Sequence, residues 1–505
     1  GTDDGAIQVT ENGGESWEKI DVKDLPGVPK MAFVNDIKAD LHDENTVYVA
    51  IDNHKYGDFK PYLYKSTNKG KSWKSISTGL GDKNLVWRLV QDHINKDLMF
   101  VGTEFGLYFT INGGSQWVKL TGDVPTISFR DLAIQKDEND LVAASFGRGF
   151  YILDDYSLLR NVTQESLEKP VQLFPVKKAL WYIPRTTLGN QTKASQGHAF
   201  YTAKNPAFGA VINYYLKDEL MTDESKRQEQ EKLDKKANKT LKFPGWDVVE
   251  AERLQQKPEI WLTIKDSDGD IVRRIQGSTN KGFNQAVWDL RFPALGAITS
   301  SQVNKDNPPK GMLVSPGEYT VSMSRHENGK VTQLDTPQPF LVEQLRKGVL
   351  EGSDNDEVVA FRKQLSHLQK QTSASSALLK NAREKTKKLK LALSRSQSMP
   401  GKIDEELMQI ISALDLLDVE FNGPGSKKQI GEKHHMTIND RLFAAYYGTN
   451  FSTYGPTATH IKSFNIAEKQ FNAFKSQLDS IIETRLPALE KAIEEANGPI
   501  VPSYH

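Results

Sequence analysis

A multidomain chain is expected from this sequence: part of a β-propeller first, a β-sandwich next, an antiparallel α-helical bundle last. Three observations carry that expectation. A Trp-terminated box recurs within the first 120 residues, the middle third reads as short strands between turn signals, and the last third places apolar residues at helical spacing. The length fits, since 505 residues at about 150 per domain make roughly three domains. The corresponding boundaries are 1–158, then 159–345 with a charged helical insertion at 217–256, then 346–505.

The boxes are Thr10-Glu11-Asn12-Gly13-Gly14-Glu15-Ser16-Trp17, Ser66-Thr67-Asn68-Lys69-Gly70-Lys71-Ser72-Trp73 and Thr110-Ile111-Asn112-Gly113-Gly114-Ser115-Gln116-Trp117. Their tryptophans stand 56 and 44 residues apart, which matches one four-stranded blade per repeat. Asn next to Gly supplies the turn chemistry that tight hairpins need. On this count 1–20 is the outer half of a blade, 30–77 and 84–120 are complete blades, and 127–154 is a blade without its last hairpin and box. That makes about three blades, whereas propellers close with about four to eight. An open arc leaves bare sheet flanks, so further blades are expected on an upstream segment or a second chain.

These boxes resemble the Asp-box, or bacterial neuraminidase repeat, of sialidases, sortilin-type receptors and two-propeller xyloglucanases. Asn stands where Asp is usual, and Lys69 and Gln116 also depart from the pattern. Asp52-Asn53-His54, then Asp58-Phe59-Lys60-Pro61-Tyr62, Gly102-Thr103-Glu104-Phe105-Gly106 and Gly147-Arg148-Gly149 running into Leu153-Asp154-Asp155 follow in order. In that order they are similar to large exported bacterial proteins of sortilin-like or glycosyl-hydrolase-like type, over most of the chain. The resemblance implies a secreted, periplasmic or cell-surface bacterial protein that binds peptide or glycan at the propeller axis. The alternative it implies is a glycoside hydrolase.

In the middle third, Pro316-Gly317-Glu318-Tyr319-Thr320-Val321 with Trp288-Asp289-Leu290-Arg291 resembles the edge of an immunoglobulin-like or fibronectin-like sandwich. Residues 184–196 read as a loop. Asp266-Ser267-Asp268-Gly269-Asp270 has the acidic density of a calcium loop, but its Gly comes one place early and no distal Glu completes the set. The turn reading is preferred, and no cofactor is expected. The Lys- and Glu-rich run at 217–238 reads as a solvated helix.

In the last third the helical stripe runs through Val359, Phe361, Leu365, Leu368, Leu378, Leu379, Leu389 and Leu391. It continues through Leu407, Ile410, Ile411, Leu414 and Leu417, then Phe464, Phe471, Phe474, Leu478, Ile481 and Leu486, with a kink or break expected at Pro487. Tyr446-Tyr447-Gly448 and Tyr454-Gly455-Pro456-Thr457 read as an aromatic loop between helices. His434-His435 lacks the i, i+4 spacing of a metal site, and no metal is expected.

Propeller ligands bind where innermost strands and top loops converge. By repeat position the innermost strands offer Asn35, Asp36, Trp87, Arg88, Arg130 and Asp131, and the following loops offer Asp52, His54, Asp58, Glu104, Phe105 and Arg148. Arg88, Arg130, Arg148, His54, Phe105 and Trp87 are the expected ligand-binding residues. Asp36, Asp58, Glu104 and Asp131 are the carboxylates available for glycoside hydrolysis, which needs a pair about 5 Å apart for retention or about 6.5–9.5 Å for inversion. The Arg-Ile-Pro signature of sialidases is absent, since Tyr182-Ile183-Pro184-Arg185 has the wrong order and lies outside the array.

Composition narrows the classes. Lys plus Arg and Asp plus Glu are both 65, and this balance disfavours nucleic-acid binding, which wants a basic excess. No run reaches the 18 apolar residues of a membrane span. Cysteine is absent, which excludes a disulfide scaffold, a thiolate metal site and a cysteine nucleophile.

Overall fold

The computed structural model describes residues 1–185, 202–298, 309–346, 348–349 and 351–502. Most of the loop expected at 184–196 lies outside them. The chain divides into two compact units. The first comprises Gly1–Pro175, Asn213–Pro258 and Thr279–Asn284, and the second Val176–Ile212, Glu259–Ser278 and Gln285–His505.

The first unit is a series of antiparallel sheets, each built from strands consecutive in sequence. β1 (Ala6–Val9) pairs with β2 (Glu18–Asp21). β3 (Phe33–Ala39), β4 (Val47–Asn53), β5 (Asp58–Ser66) and β6 (Lys74–Ser75) form a four-stranded sheet in that order. β7 (Val86–Gln91), β8 (Met99–Thr103), β9 (Gly106–Thr110) and β10 (Val118–Lys119) repeat it. β11 (Phe129–Gln135), β12 (Asp140–Ser145) and β13 (Phe150–Leu153) make a three-stranded version. β3, β7 and β11 lie side by side, which is a propeller-like arrangement.

Cores form between successive sheets. Tyr48, Leu63, Leu89, Met99 and Trp117 make one buried cluster, and Phe100, Leu107, Phe129, Leu132 and Leu141 make the next. The three boxes share one bonding scheme. Asn12, Asn68 and Asn112 each accept a backbone N–H four residues on, and Thr10, Ser66 and Thr110 accept one from Gly14, Gly70 and Gly114. Asn rather than Asp has a reason in the first two. The amide nitrogen also donates to the hydroxyls of Ser16 and Ser72, at 2.9 Å each, which a carboxylate cannot do. Trp117 is buried and donates to the Ile76 carbonyl at 2.6 Å, so a box tryptophan links its sheet to the preceding one. The charged insertion forms two helices, Asp223–Lys236, with no buried residue, and Trp246–Leu254.

In the second unit, the strands Ala179–Trp181, Gln338–Gln344, Gly317–Glu327, Glu259–Asp266 and Ile271–Gly277 run in that order through a six-stranded sheet, with Lys330–Gln333 paired to Gly317–Glu327. The acidic segment 266–270 is a hairpin turn, closed by the Asp270 N–H donating to Asp266 Oδ1 at 2.9 Å, with Gly269 at φ +85°.

After Gln344 the second unit is mainly helical, its longest helices being Asn355–Leu393, Lys402–Asn422, Ile438–Asn450, Ala458–Ser480 and Leu486–Glu495. Their shared core includes Phe361, Leu365, Leu414, Phe471, Phe474 and Leu478. Within the stripe expected from sequence, Leu378 and Leu391 instead face solvent, and Val358 rather than Val359 is buried. A π-turn at Ile481–Arg485 precedes Pro487 and carries the helix on without a break. Pro487 lacks the N–H for an ordinary turn and its ring crowds the preceding carbonyls, which a widened turn relieves. Tyr446-Tyr447-Gly448 is not a loop but part of helix Ile438–Asn450. The glycine misled because it serves packing: a Cβ at Gly448 would sit 2.1 Å from His460 Nε2 on the neighbouring helix. Among the described residues no helix is long and apolar enough to cross a membrane.

Candidate functional site

Three adjacent strands break register at the same place. The pairing of β3 with β4 shifts between Val34 and Asp36, of β7 with β8 between Val86 and Arg88, and of β11 with β12 between Phe129 and Asp131. The residues left over are Asn35, Trp87 and Arg130. A bulge bends its strand and re-aims the extra side chain, and bulges gather beside functional sites. Because the strands are neighbours, the three bulges meet.

Arg88 ties the strands together. Asp36 Oδ1 accepts from Arg88 Nη1 at 2.7 Å, Asp36 Oδ2 accepts from the Leu89 N–H at 3.1 Å, and Arg88 Nε lies 2.8 Å from Asp131 Oδ1. Asn35 Nδ2 donates to the carbonyls of Val86 and Trp87 at 2.9 and 3.1 Å. Asp36 is buried, while the Asp131 side chain is 62% exposed.

Trp87 is the hub. Its Nε1 donates to Glu104 Oε2 at 2.9 Å, and the Arg130 guanidinium lies 3.4 Å from its ring centroid. Arg130 also approaches Phe146, at 5.1 Å, and Glu104, at 3.8 Å. The His54 ring meets Trp87 edge-on, with centroids 5.8 Å apart, and Phe33 and Phe59 each stand 6.3 Å from His54.

His54 is itself held. Its Nδ1 lies 2.7 Å from both oxygens of Asp52, which also accepts the His54 backbone N–H at 2.7 Å, and Asp52 is 1% exposed. An ionised carboxylate only accepts, so the hydrogen shared in this contact belongs to Nδ1.

Asp58 belongs to the β4–β5 hairpin, where its oxygens accept from Asn53 Nδ2 at 3.1 Å, the Tyr62 hydroxyl at 2.7 Å and the Lys60 N–H at 3.2 Å. Partial burial works against its charge, but the hydrogen bonds from Tyr62 and Asn53 prevail and hold its carboxyl below the ordinary range. Phe105 and Arg148 are exposed in the β8–β9 and β12–β13 connections.

The structure thus brings together Asp36, His54, Trp87, Arg88, Glu104, Arg130 and Asp131. Sequence reasoning missed Phe33, Phe146, the Asp52–His54 pairing and the bulges. A signal for the bulges was present. Val34-Asn35-Asp36-Ile37, Val86-Trp87-Arg88-Leu89 and Phe129-Arg130-Asp131-Leu132 each place two non-core residues in succession, which breaks strand alternation.

Among the described residues no group of three His, Cys, Asp or Glu converges as metal ligands would. The second unit has a cavity of about 1070 Å³ beside Met312, Lys380, Arg383, Phe443 and Tyr446. Its arginine is already ion-paired, with Asp415 at 2.7 Å and Asp418 at 2.9 Å.

No protein-family model matches the chain, and no curated protein is similar to it by sequence. Solved structures similar to it include the extracellular domain of a one-component system from B. thetaiotaomicron, at 15% identity and a TM-score of 0.21, covering 65% of this chain and 33% of that one. An ancestral GH74 enzyme is similar at 14% identity and a TM-score of 0.19, covering 60% of this chain and 46% of its own. The GH74 xyloglucanase from Xanthomonas campestris is similar at 10% identity and a TM-score of 0.20, covering 59% and 38%. The chain therefore spans less than half the length of each of these three.

Proposed function

We propose that the bulged face of β3, β7 and β11 recognises an extended glycan or peptide, in an exported sortilin-like propeller protein whose second unit is accessory. The observation that carries this reading is the Trp87 hub, where one aromatic ring is bracketed by a guanidinium and an imidazole. Sugar rings and peptide groups stack on such surfaces, and the flanking donors fix their orientation. The carboxylates favour recognition over chemistry. Asp36 has both oxygens engaged within the protein, and Asp58 and Glu104 are bound to side-chain donors. Binding of the chain to a glycan array and a peptide library tests this. Trp87→Ala and Arg130→Ala are each expected to weaken the selected ligand at least about tenfold, the scale of one lost stacking or charged contact, with an unchanged circular dichroism spectrum. Unaltered binding in both variants would sink the reading.

A second reading, glycoside hydrolysis, is favoured by the partial exposure of Glu104 and Asp131, at 23% and 62% of their side chains. Turnover of a polysaccharide that Glu104→Gln or Asp131→Asn abolishes, with the fold intact, would establish it in place of recognition alone.

Further blades, supplied by an upstream segment or a second chain, complete the proposal. By repeat position Phe150 corresponds to Leu107. Leu107 is 4% exposed beneath the next sheet, whereas Phe150 is 74% exposed and Ile152 59%. A sheet of the same kind would cover them.

A further inference from the structure

The charged insertion carries a feature that the recognition site does not use. Its helices Asp223–Lys236 and Trp246–Leu254 are pinned at one end. Arg227 Nη2 lies 2.6 Å from Glu252 Oε2, Arg227 Nη1 lies 2.7 Å from Glu231, and the Asp223 N–H donates to Gln255 Oε1 at 2.8 Å. The connection between the helices lies at the other end, about 20 Å along the first helix at 1.5 Å per residue.

That connection is amphiphilic. Residues 235–246 read Lys-Lys-Ala-Asn-Lys-Thr-Leu-Lys-Phe-Pro-Gly-Trp, with four lysines and no acidic residue. Lys239 reaches back to Asp234 at 3.1 Å. Leu241 is 47% exposed, Phe243 63% and Trp246 78%, and the two aromatic rings pack edge to face with centroids 5.0 Å apart. Large apolar side chains exposed together mark an interaction site. Pro244 and Gly245, the latter at φ +100°, turn the chain so that both rings stand at the tip.

We infer that this tip docks on the surface of an anionic lipid bilayer. Charge complementarity chooses the occupant: among the described residues only Lys239 of the four lysines at 235–246 is ion-paired, to Asp234, and polybasic segments are drawn to anionic headgroups. The apolar chemistry agrees, since Trp and Phe settle at the headgroup boundary while lysine stems extend their ammonium groups outward. A convex tip of three apolar side chains suits a deformable surface, and its small area makes the attachment reversible.

The test is co-sedimentation of the full chain with vesicles. One set is phosphatidylcholine alone, and the other is equal parts phosphatidylcholine and phosphatidylglycerol. Binding is expected on the anionic set and weak on the neutral one, and it is expected to fall with added salt. The double variants Phe243→Ser/Trp246→Ser and Lys239→Glu/Lys242→Glu, all at exposed positions, are each expected to lower the bound fraction at least about tenfold, since each lysine near the surface is worth roughly fivefold. Equal binding to both vesicle sets, undiminished binding by the variants, or absence of binding overturns the inference. Capture by polyglutamate beads but not by vesicles also overturns it, in favour of an acidic protein partner.

Discussion

Gly448 shows how one missing methyl sets a helix contact. Helix propensity alone favours alanine there by about 1 kcal/mol. Packing opposes it, because the added Cβ would meet the His460 imidazole, whose Nδ1 accepts the Thr457 N–H at 3.2 Å and is thereby tied to the start of its own helix. Overpacking costs about 1–3 kcal/mol. Gly448→Ala is therefore expected to lower stability by about 1 kcal/mol in urea unfolding, and Gly448→Ala/His460→Ala to cost less than the sum of the two single variants. An additive double variant would show that the ring moves aside freely. From sequence this glycine read as a loop, because a clash exists only once the second helix is in place. The site residues were more legible. Asn35, Trp87 and Arg130 fell at one repeat position, so periodicity alone assembled them. The Asp52–His54 pairing was hidden, since adjacency in a strand says nothing of which side chain turns back on which.

Among the elements, sheet boundaries were readable wherever a box closed a blade, and the strands of 30–77 and 84–120 follow them. The stretch after β13 gave no such cue, yet it anchors the sheet of β7–β10. The short helix Tyr156–Asn161 sends Arg160 to Asp92 in the β7–β8 turn, with Nη2 2.7 Å from Oδ1 and Nε 2.9 Å from Oδ2, and the Tyr156 hydroxyl donates to the same carboxylate at 2.8 Å. Asp92 is fully buried. Burial pushes its pKa up, but hydrogen bonds from Arg160, the Asn95 N–H and Tyr156 outweigh that and bring it down to about 2. A depressed carboxyl contributes stability above its unfolded pKa, and the contribution is lost as pH falls towards about 2. Arg160→Met leaves that charge without its cation. The expected cost is about 3 kcal/mol in urea at neutral pH, with the acid-unfolding midpoint moved to higher pH because the carboxyl then protonates sooner. A midpoint that stays in place would mean that Tyr156 and the backbone amides suffice.

For the molecule as a whole, the uncovered side of the three-stranded sheet is the consequential feature. Phe146 is 71% exposed, Phe150 74% and Ile152 59%, and among the described residues β13 is the last strand of its sheet. Soluble sheets blunt such edges with charge, proline or a covering element; Phe150–Leu153 carries neither charge nor proline, and three of its four residues are exposed. The second sheet of the repeat shows what cover achieves: Leu107, at the equivalent place, is buried, and burying a residue of that size is worth about 1.5–3 kcal/mol. Two such side chains left in water are expected to drive self-association. The chain alone should sediment with concentration-dependent mass, whereas Phe150→Ser/Ile152→Ser should remain monomeric with the same circular dichroism and the same urea midpoint. The unchanged midpoint is the decisive part, because side chains already in solvent contribute little to folding. If the substitutions instead lowered the midpoint by an amount equivalent to more than about 1 kcal/mol of unfolding free energy, the effect expected of losing a buried contact, these residues would be covered in solution by the chain itself, and no further blade would be called for.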